Sequence, residues 1–384
     1  MKDKLKKLEK SHIMQTYKRT DVVFVRGEGC YLYDSAGKRY LDFIGGLATC
    51  SVGHGNKQVA KAVADQASEL ASASNLYYSE PQVLLAKRLS ELSGLKKCFF
   101  CHSGAEANEA AIKLAKKVTG KKHFIAFKDS FHGRTTGSLA LTWKNEFKEP
   151  FLPLSPKVTF VDFNDVAAIE RAVNADTAAV FIEPVQGEAG VNVPENGFLR
   201  QIRELCDSRK ILMIVDEVQT GVGRTGKFFA YQHEDIKPDI VTVAKGLGGG
   251  LPIGVCIADY ELEAGEHGST LGGNNVSAAA ALATLDYIKQ HNLTDNAART
   301  GDYLQKKLIE LKDLSDMIKA VRGKGLMIAI ELKEKKSKAI VSQCLSLGLV
   351  CNAPTDNVIR FLPPLTVTKD QIDEALQILR KALA

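Results

Sequence analysis

Residues 97–127 read KCFFCHSGAEANEAAIKLAKKVTGKKHFIAF, a stretch that contains two short apolar runs. The runs at 97–101 and 123–127 have the length and composition of buried strands. Residues 105–119 between them contain neither glycine nor proline. Apolar residues recur there at helical spacing, at Ala107, Ala111, Leu114 and Val118. A strand, a helix and a second strand in this order are typical of an α/β fold with a parallel sheet.

The same alternation of strands and helices extends from about residue 59 to residue 260. A first helix is predicted from an apolar face formed by Val59, Val63, Ala67 and Leu70. Short apolar runs predict seven strands, at residues 97–101, 123–127, 158–161, 178–182, 211–215, 240–244 and 253–257. This pattern predicts an α/β domain built on a mostly parallel seven-stranded sheet.

The two ends of the chain follow other patterns. Residues 21–43 alternate β-type residues with turn signals, and long helical patterns follow residue 275, with one strand at 325–332. Because chain ends often lie close together, the N-terminal strands can join a small C-terminal domain. We therefore expect an N-terminal segment, a large α/β domain and a small α+β domain, at residues 1–58, 59–274 and 275–384.

Composition narrows the class of protein. Of the 384 residues, 45% are apolar and 25% are charged, as in ordinary globular proteins. The net charge of +6 is spread without a long basic block, which disfavours nucleic acid as a partner. No apolar run approaches the ~18 residues of a membrane span, and the lysine-rich start resembles a solvated helix rather than a secretory signal. Eight scattered cysteines favour free thiols, no metal site and a cytoplasmic location.

Polar residues follow four of the predicted strands. Ser103 follows the first strand, Glu183 follows the fourth, Asp216 the fifth and Lys245 the sixth. Ligands of open α/β sheets bind beyond the carboxyl ends of the strands. An anion site, an acid and a lysine are therefore expected to meet at one edge of the sheet.

Each of these residues has more than one interpretation from the sequence. Ser103 to Ala105 start a helix, so their backbone N–H groups suit a phosphate, but Ser103 can equally be an ordinary cap paired with Glu106. Lys245 ends an apolar strand, which suits a desolvated amine that forms a Schiff base, although a surface lysine is the alternative. Asp216 requires a partner, which can be a metal, a ribose, a protonated pyridine nitrogen or a structural cation.

A dinucleotide-binding pattern occurs at Gly221–Gly226, which matches GxGxxG after a strand. Such a site needs a helix to begin there, and the residues that follow lack a helical stripe. A nicotinamide-dependent oxidoreductase is therefore a disfavoured alternative.

Together these motifs resemble the class III pyridoxal-phosphate aminotransferases of the fold-type I superfamily, and most of all the acetylornithine aminotransferases. The resemblance extends from about Tyr17 to Arg380. It rests on ordered motifs, namely SGAEANEAAIK (103–113), FHGRT (131–135), EPVQGE (183–188), DEVQTG (216–221), AKGLGG (244–249), HGST (267–270), VRGKG (321–325) and NVIR (357–360).

The resemblance implies pyridoxal 5′-phosphate as the cofactor and assigns residues to its ring. Lys245 would hold the cofactor covalently and move the proton during the reaction, and Asp216 would pair with the pyridinium nitrogen. Gln219 would bind the phenolic oxygen of the ring. Phe131 and Val218 would enclose the ring between two apolar faces.

The resemblance also implies a homodimer with shared active sites. Ser103, Gly104 and Ala105 would hold the phosphate from one subunit. Thr270 would reach across the interface to the phosphate of the partner's cofactor, and Ser269 would approach the substrate.

Substrate binding is likewise implied by the resemblance. Arg134 and Arg360 would bind carboxylates, and Glu188 would pair with Arg360 when a donor without an α-carboxylate at its reacting carbon is bound. The implied reaction converts N2-acetyl-L-ornithine and 2-oxoglutarate to N-acetyl-L-glutamate 5-semialdehyde and L-glutamate, in arginine biosynthesis. Leu47 stands where ornithine aminotransferases typically carry a tyrosine, which favours an acylated amine.

Some alternatives remain open at this point. Ornithine, 4-aminobutyrate, succinylornithine or a carrier-bound lysine precursor could be the donor, and a degenerate aminotransferase fold could serve as a binding protein. The chain also departs from the family pattern at Asn56-Lys57, Trp143 and Asn275.

Overall fold

The computed structural model describes residues 2–384. Its helices are α1 (Lys2–His12), α2 (Gly45–Ala48), α3 (Lys57–Glu69), α4 (Glu80–Ser93), α5 (Gly104–Thr119), α6 (Thr136–Leu141), α7 (Asn145–Lys148), α8 (Val166–Ala172), α9 (Phe198–Arg209), α10 (Asn275–Gln290), α11 (Leu293–Asp313), α12 (Ser337–Leu347) and α13 (Lys369–Leu383). Its strands are β1 (Phe24–Glu28), β2 (Tyr31–Asp34), β3 (Arg39–Asp42), β4 (Lys97–Cys101), β5 (His123–Phe127), β6 (Lys157–Val161), β7 (Thr177–Ile182), β8 (Leu212–Asp216), β9 (Ile240–Val243), β10 (Gly254–Ala258), β11 (Ile318–Lys324), β12 (Met327–Leu332), β13 (Leu349–Val350), β14 (Asn352–Thr355) and β15 (Val358–Phe361).

The central sheet has seven strands in the order β4-β10-β9-β8-β7-β5-β6. Strand β10 is antiparallel to both of its neighbours, and all other neighbouring strands are parallel. The predicted mostly parallel seven-stranded sheet is confirmed, and each predicted strand agrees with the observed one to within one residue at either end. Strands β7 and β8 are buried along their whole length, because helices cover both faces of the sheet.

Helices α5 and α3 differ in how much of their predicted apolar face is buried. Helix α5 buries Ala107, Ala111 and Leu114, as predicted, but Val118, the last residue of the predicted face, is exposed at the C-terminal end of the helix. The helix is followed by Gly120 in the left-handed conformation. Helix α3 was predicted to extend its apolar face to Leu70, and this is wrong for its second half. The helix ends at Glu69, Leu70 has an extended backbone, and both Ala67 and Leu70 are exposed.

Two smaller sheets lie outside the central one, in the orders β1-β2-β3-β13 and β11-β12-β15-β14. Strand β3 pairs in parallel with β13, so that Leu41 lies opposite Leu349. The N-terminal strands therefore share a sheet with the C-terminal part of the chain. The domain boundaries at 58/59 and 274/275 stay predictions. Helix α10 contacts α4 across the second boundary, where Arg88 forms a salt bridge of 3.0 Å with Asp286.

Two departures from the family pattern lie at helix starts. The side-chain oxygen of Asn56 accepts hydrogen bonds from the N–H groups of Gln58 and Val59 at the start of α3. Asn275 opens α10, and its side-chain oxygen accepts a hydrogen bond of 2.9 Å from the hydroxyl of Ser79. These asparagines therefore satisfy polar groups where two helices begin.

The glycines at 221–226 do not introduce a helix. The chain continues through turns into the short 3-10 segment Ala230–Glu234. Arg224 is buried within this run and donates hydrogen bonds to the carbonyl oxygens of Leu326 and Pro363. An added Cβ at Gly226 would lie 2.9 Å from Ala298 of α11. The run is thus a packing element, and the dinucleotide site is contradicted.

Helix α1 buries none of its residues, in agreement with the expected solvated helix. Within residues 2–384, none of the helices combines the length and the apolar character that crossing a bilayer requires.

Candidate active site

The carboxyl ends of β7, β8 and β9 and the start of α5 surround a cavity of about 550 Å³. Ten of the thirteen predicted site residues line this cavity. They are Ser103, Gly104, Ala105, Phe131, Arg134, Glu188, Asp216, Val218, Gln219 and Lys245. The expected acid, lysine and anion site therefore lie together at the carboxyl ends of the strands.

Lys245 lies two residues after the end of β9 and has a positive φ of 41°. Burial lowers the pKa of its ammonium group below the usual value; Glu188 opposes this shift and Arg360 adds to it. A lower pKa increases the fraction of neutral amine at a given pH. The neutral amine is the form that attacks a carbonyl or accepts a proton.

Asp216 ends β8 and is 4% exposed. One carboxylate oxygen contacts the Nδ1 atom of His132 at 2.8 Å and accepts a hydrogen bond of 2.9 Å from the amide of Asn108. The other oxygen accepts a hydrogen bond of 3.0 Å from the N–H of Val218. The carboxylate is therefore held in one orientation by these three contacts.

At the start of α5, two backbone donors have no hydrogen-bond partner within residues 2–384. The Ser103 hydroxyl oxygen accepts a hydrogen bond from the N–H of Glu106 and donates one of 2.8 Å to its carboxylate, so the capping interpretation of Ser103 is right. The N–H of Ala107 bonds to the carbonyl of Ser103. The first N–H groups of a helix have no partner within it, which leaves those of Gly104 and Ala105 for an anion.

Gly104 is required at this position by a close contact. An added Cβ would lie 2.7 Å from a methyl carbon of Val218, one of the two predicted walls of the ring site. The helix start and the Val218 wall can thus approach each other only because residue 104 has no side chain.

Glu183 connects two loops of the site, and the sequence analysis assigned it no role. One of its oxygens accepts a hydrogen bond of 2.9 Å from the N–H of Phe131, and the other accepts one of 3.2 Å from Gly187. Burial raises the pKa of Glu183 to about 7. Glu183 thereby joins the loop of Phe131 to the loop of Glu188.

Arg360 lies on β15 behind Glu188 and is fully buried. Its Nη1 atom donates hydrogen bonds to Glu188 at 2.8 Å, to the carbonyl of Gly187 at 2.8 Å and to Gln219 at 3.1 Å. Its Nε atom donates to Asn352 at 3.2 Å. Burial raises the pKa of Glu188, but Arg360, Lys245 and Gln219 together lower it by more, so that the pKa lies below its usual value. The Nη2 atom of Arg360 is buried without a partner among residues 2–384.

Arg134 lies at the exposed side of the cavity. Its guanidinium stacks over the ring of Phe147 at 3.5 Å and lies 5.8 Å from the ring of Phe131. Tyr17, which the sequence analysis did not single out, also lines the cavity. The guanidinium of Arg134 thus lies where the outer end of a long substrate would bind.

Ser269 and Thr270 do not line the cavity of their own chain. Thr270 is exposed, and the carbonyl of Ser269 accepts a hydrogen bond of 2.8 Å from Asn75. Their role across a dimer interface stays a prediction.

Asn108 and His132, which were not predicted from the sequence, hold the carboxylate of Asp216 in place. Asn108 lies four residues after Gly104 on α5, and thus on the same face of the helix. His132 follows Phe131 and is fully buried. A polar residue within the alanine-rich face of α5 was the available signal for Asn108. Nothing in the sequence pairs His132 with Asp216.

The comparison with protein families bears directly on this geometry. The family model described as aminotransferase class-III matches residues 13–383. The chain belongs to the class-III aminotransferase family. Its cofactor is therefore pyridoxal 5′-phosphate, and the predicted fold-type I architecture is confirmed.

Relatives of this aminotransferase are similar over nearly their whole length. The acetylornithine aminotransferase of Archaeoglobus fulgidus is 46% identical over 97% of this chain and 98% of its own. That of Methanopyrus kandleri is 47% identical over 98% and 97%. Among solved structures, acetylornithine aminotransferase from Elizabethkingia anophelis has a TM-score of 0.89 and 32% identity, covering 100% of this chain and 98% of its own. Ornithine aminotransferase from Toxoplasma gondii has a TM-score of 0.96 and 31% identity, covering 100% and 94%.

The residues of this aminotransferase fit pyridoxal phosphate. The free N–H groups of Gly104 and Ala105 suit the phosphate dianion, and the oriented carboxylate of Asp216 suits a protonated ring nitrogen. The close approach of Gly104 to Val218 forms a wall for a flat ring. Lys245 lines the same cavity and provides the amine that this cofactor needs.

Proposed function

We propose that this aminotransferase converts N2-acetyl-L-ornithine and 2-oxoglutarate to N-acetyl-L-glutamate 5-semialdehyde and L-glutamate, a step of arginine biosynthesis. Its similarity to proteins named acetylornithine aminotransferase, at 46% and 47% identity, supports this donor. The observation that carries the proposal is the ion pair between Glu188 and Arg360 beside Lys245. Such a pair lets one pocket accept donors with and without a carboxylate at the reacting carbon.

When bound, pyridoxal phosphate supplies the electron sink and carries the amino group between the two half-reactions. Lys245 would hold the cofactor and, as a free amine, would take the proton from the reacting carbon of the donor, for which its lowered pKa is suited. Asp216 would stabilise the proton on the ring nitrogen, while His132 and Asn108 keep its carboxylate oriented. Phe131 and Val218 would exclude water from the two faces of the ring.

The two donors differ in what they present to Arg360. Glutamate carries an α-carboxylate beside its reacting amine, and this carboxylate takes the place of Glu188 on the arginine. Acetylornithine reacts at its far amine, where it has no carboxylate. Glu188 then stays paired with Arg360, which avoids a buried unpaired charge. Arg134, at the outer side of the cavity, binds the distal carboxylate of either donor.

The proposal includes a homodimer in the cytoplasm, with active sites shared between subunits. The carbonyl that binds Asn75 belongs to Ser269, next to Thr270. Three consecutive apolar side chains follow Asn75 and are strongly exposed, with fractions of 86%, 70% and 99% at Leu76, Tyr77 and Tyr78. Contiguous exposed apolar surface of this kind is typical of a protein interface. A second copy packed there would bring Thr270 to the partner's cofactor.

A panel of amino donors with 2-oxoglutarate tests the proposal. We expect acetylornithine to give the highest kcat/KM among acetylornithine, ornithine, 4-aminobutyrate and succinylornithine. The family resemblance makes Leu47 an argument for an acylated donor; its side chain is 45% exposed and does not line the cavity of its own chain. A higher value for any other donor would reassign the substrate. A protein whose visible absorption does not respond to any donor would instead be a binding protein with this fold.

A further inference from the structure

The segment that carries Ser269 and Thr270 connects β10 to α10 and contains no regular secondary structure. We call residues 263–274 the Thr270 segment. It is fixed to its own subunit at two places, although neither is part of the cavity. One of these attachments comes from α5, the helix whose start forms the predicted phosphate site.

The first attachment is made by two lysines of α5. The Nζ atom of Lys113 donates a hydrogen bond of 2.5 Å to the carbonyl of Glu266 and contacts the Nδ1 atom of His267 at 3.0 Å. Burial lowers the pKa of His267, and the charge of Lys113 lowers it further. The neutral imidazole can therefore accept a hydrogen bond from Lys113. Lys117, one turn later, forms salt bridges with Glu266 at 2.5 Å and Glu263 at 3.3 Å.

His267 is also held by packing. Its ring lies 4.6 Å from the ring of Phe99, measured between centroids, and the two planes are tilted by 36°. Lys113 thus fixes the backbone of the segment at Glu266, three residues before Ser269, and Lys113 and Phe99 together fix the side chain of His267, two residues before Ser269.

The second attachment lies after Ser269. The amide of Asn75 donates hydrogen bonds to the carbonyls of Ser269 and Gly272, at 2.8 and 3.1 Å. Gln82 donates to the side chain of Asn75 at 2.8 Å and to the carbonyl of Gly272 at 3.3 Å. Thr270 is therefore an exposed residue between two fixed points, and its position depends on both.

We propose that Lys113 is a positioning residue for the active site of the partner subunit. Helix α5 would bind one cofactor phosphate at its start, and through Lys113 it would hold the Thr270 segment that binds the phosphate of the other cofactor. This inference rests on the proposed homodimer with shared active sites. It predicts that loss of Lys113 acts on the opposite subunit.

Heterodimers with a single lysine-bearing site test this prediction. One subunit carries Lys245→Ala, so only its partner can form the lysine-linked cofactor, whose visible absorption reports binding. With Lys113→Met placed on the Lys245→Ala subunit, we expect the dissociation constant of the cofactor at the remaining site to rise about tenfold. With Lys113→Met on the subunit that keeps Lys245, we expect a change of less than about twofold.

The opposite pattern, or equal weakening in both heterodimers, would overturn the proposal and leave Lys113 as a stabiliser of its own helix. Lys116→Met is the matched control, because Lys116 lies on the same helix and makes no hydrogen bond to the Thr270 segment within residues 2–384. Lys113→Arg should retain most of the affinity, since an arginine can donate to the same carbonyl.

A parallel pair with Thr270→Ala separates this inference from the proposed function. If Thr270→Ala weakens the opposite site and Lys113→Met does not, only the role of Lys113 is wrong. If Thr270→Ala weakens the site of its own subunit, the shared active site itself is wrong.

Discussion

Arg360 and Glu188 form an ion pair of 2.8 Å in which only one partner is free to move. The Arg360 side chain is fully buried and also donates to Gly187, Gln219 and Asn352, whereas the Glu188 side chain is 36% exposed. Apart from Arg360, the Glu188 carboxylate accepts only a long contact of 3.5 Å from Gln219 within residues 2–384. Glu188 is therefore the partner that moves away from Arg360 when a substrate carboxylate binds there.

Glu188→Gln should affect the two half-reactions in opposite directions. The variant removes the charge that neutralises Arg360, so the arginine attracts the α-carboxylate of glutamate more strongly. Acetylornithine then leaves an unpaired buried cation behind, and its half-reaction should slow by about tenfold for a loss of ~1.5 kcal/mol. Stopped-flow rates for each donor measure the two effects. Equal slowing of both would make Glu188 a plain structural partner of Arg360.

Arg360→Lys should mainly damage the glutamate half-reaction. Lysine cannot provide the planar fork that binds both carboxylate oxygens, and the expected loss is ~1.5–3 kcal/mol, or about tenfold or more in rate. The acetylornithine half-reaction should change less, because no substrate carboxylate reaches residue 360. Arg134→Lys is the comparison, since it should weaken both donors. A larger effect of Arg360→Lys on acetylornithine would refute the assignment.

Asp216→Asn should slow proton removal by orders of magnitude while cofactor binding persists. Asparagine retains the shape of the side chain but cannot stabilise a proton on the ring nitrogen. Single-turnover rates measured by absorbance test this effect. Glu217→Gln is the matched control, because Glu217 is a neighbouring buried carboxylate that accepts hydrogen bonds from Tyr231 and Thr220 outside the cavity. Near-normal single turnovers in Asp216→Asn would contradict the role of Asp216.

Lys245→Ala should fold but lose the covalent link to the cofactor. The residue lies at the end of β9 and lines a cavity, so its truncation removes little packing. Borohydride reduction followed by peptide mapping should label Lys245 in the parent protein and no lysine in the variant. A label on another lysine of the parent protein would move the assignment to that residue.

The central sheet could be predicted from the sequence because its five inner strands are buried along their whole length and therefore appear as continuous apolar runs. Strand β7, for example, reads TAAVFI and is buried throughout. The end of α3 could not be predicted in the same way. Ala67 continues the helical spacing of Val59 and Val63, but its side chain is exposed. Spacing identifies a face of a helix and not how far its neighbours cover it.

The same distinction applies to the active site, where residues at strand ends could be predicted and residues that pair only in the folded chain could not. Asp216 and Lys245 could be predicted because each ends an apolar strand at the same edge of the sheet. His132 could not be paired with Asp216, because the two residues are 84 positions apart and meet only in the folded chain. Thr270 stays outside the cavity of its own subunit, so its role depends on a second copy of the chain.

The ion pair between His54 and Asp42 should make stability depend on pH in a predictable direction. Asp42 is fully buried, and one of its oxygens lies 2.7 Å from the Nε2 atom of His54. Burial alone would lower the pKa of His54, but its interactions with Asp42 and Cys50 together raise it to about 10. Because the folded pKa lies above that of the unfolded chain, the stabilisation is complete below pH ~6.5 and is lost as the pH rises toward ~10.

His54→Gln removes this titration and retains a hydrogen-bond donor. The parent protein should therefore exceed the variant in free energy of unfolding by about 1.5–3 kcal/mol near pH 6, the range expected for a hydrogen bond to a charged group. The difference should shrink steadily as the pH approaches ~10, because the imidazole of the parent then loses its proton. Urea unfolding of both proteins at matched pH, with saturating cofactor, measures this difference, and other titrating groups cancel in it. A difference that stayed constant from pH ~6 to ~10 would show that His54 is not protonated in the folded protein.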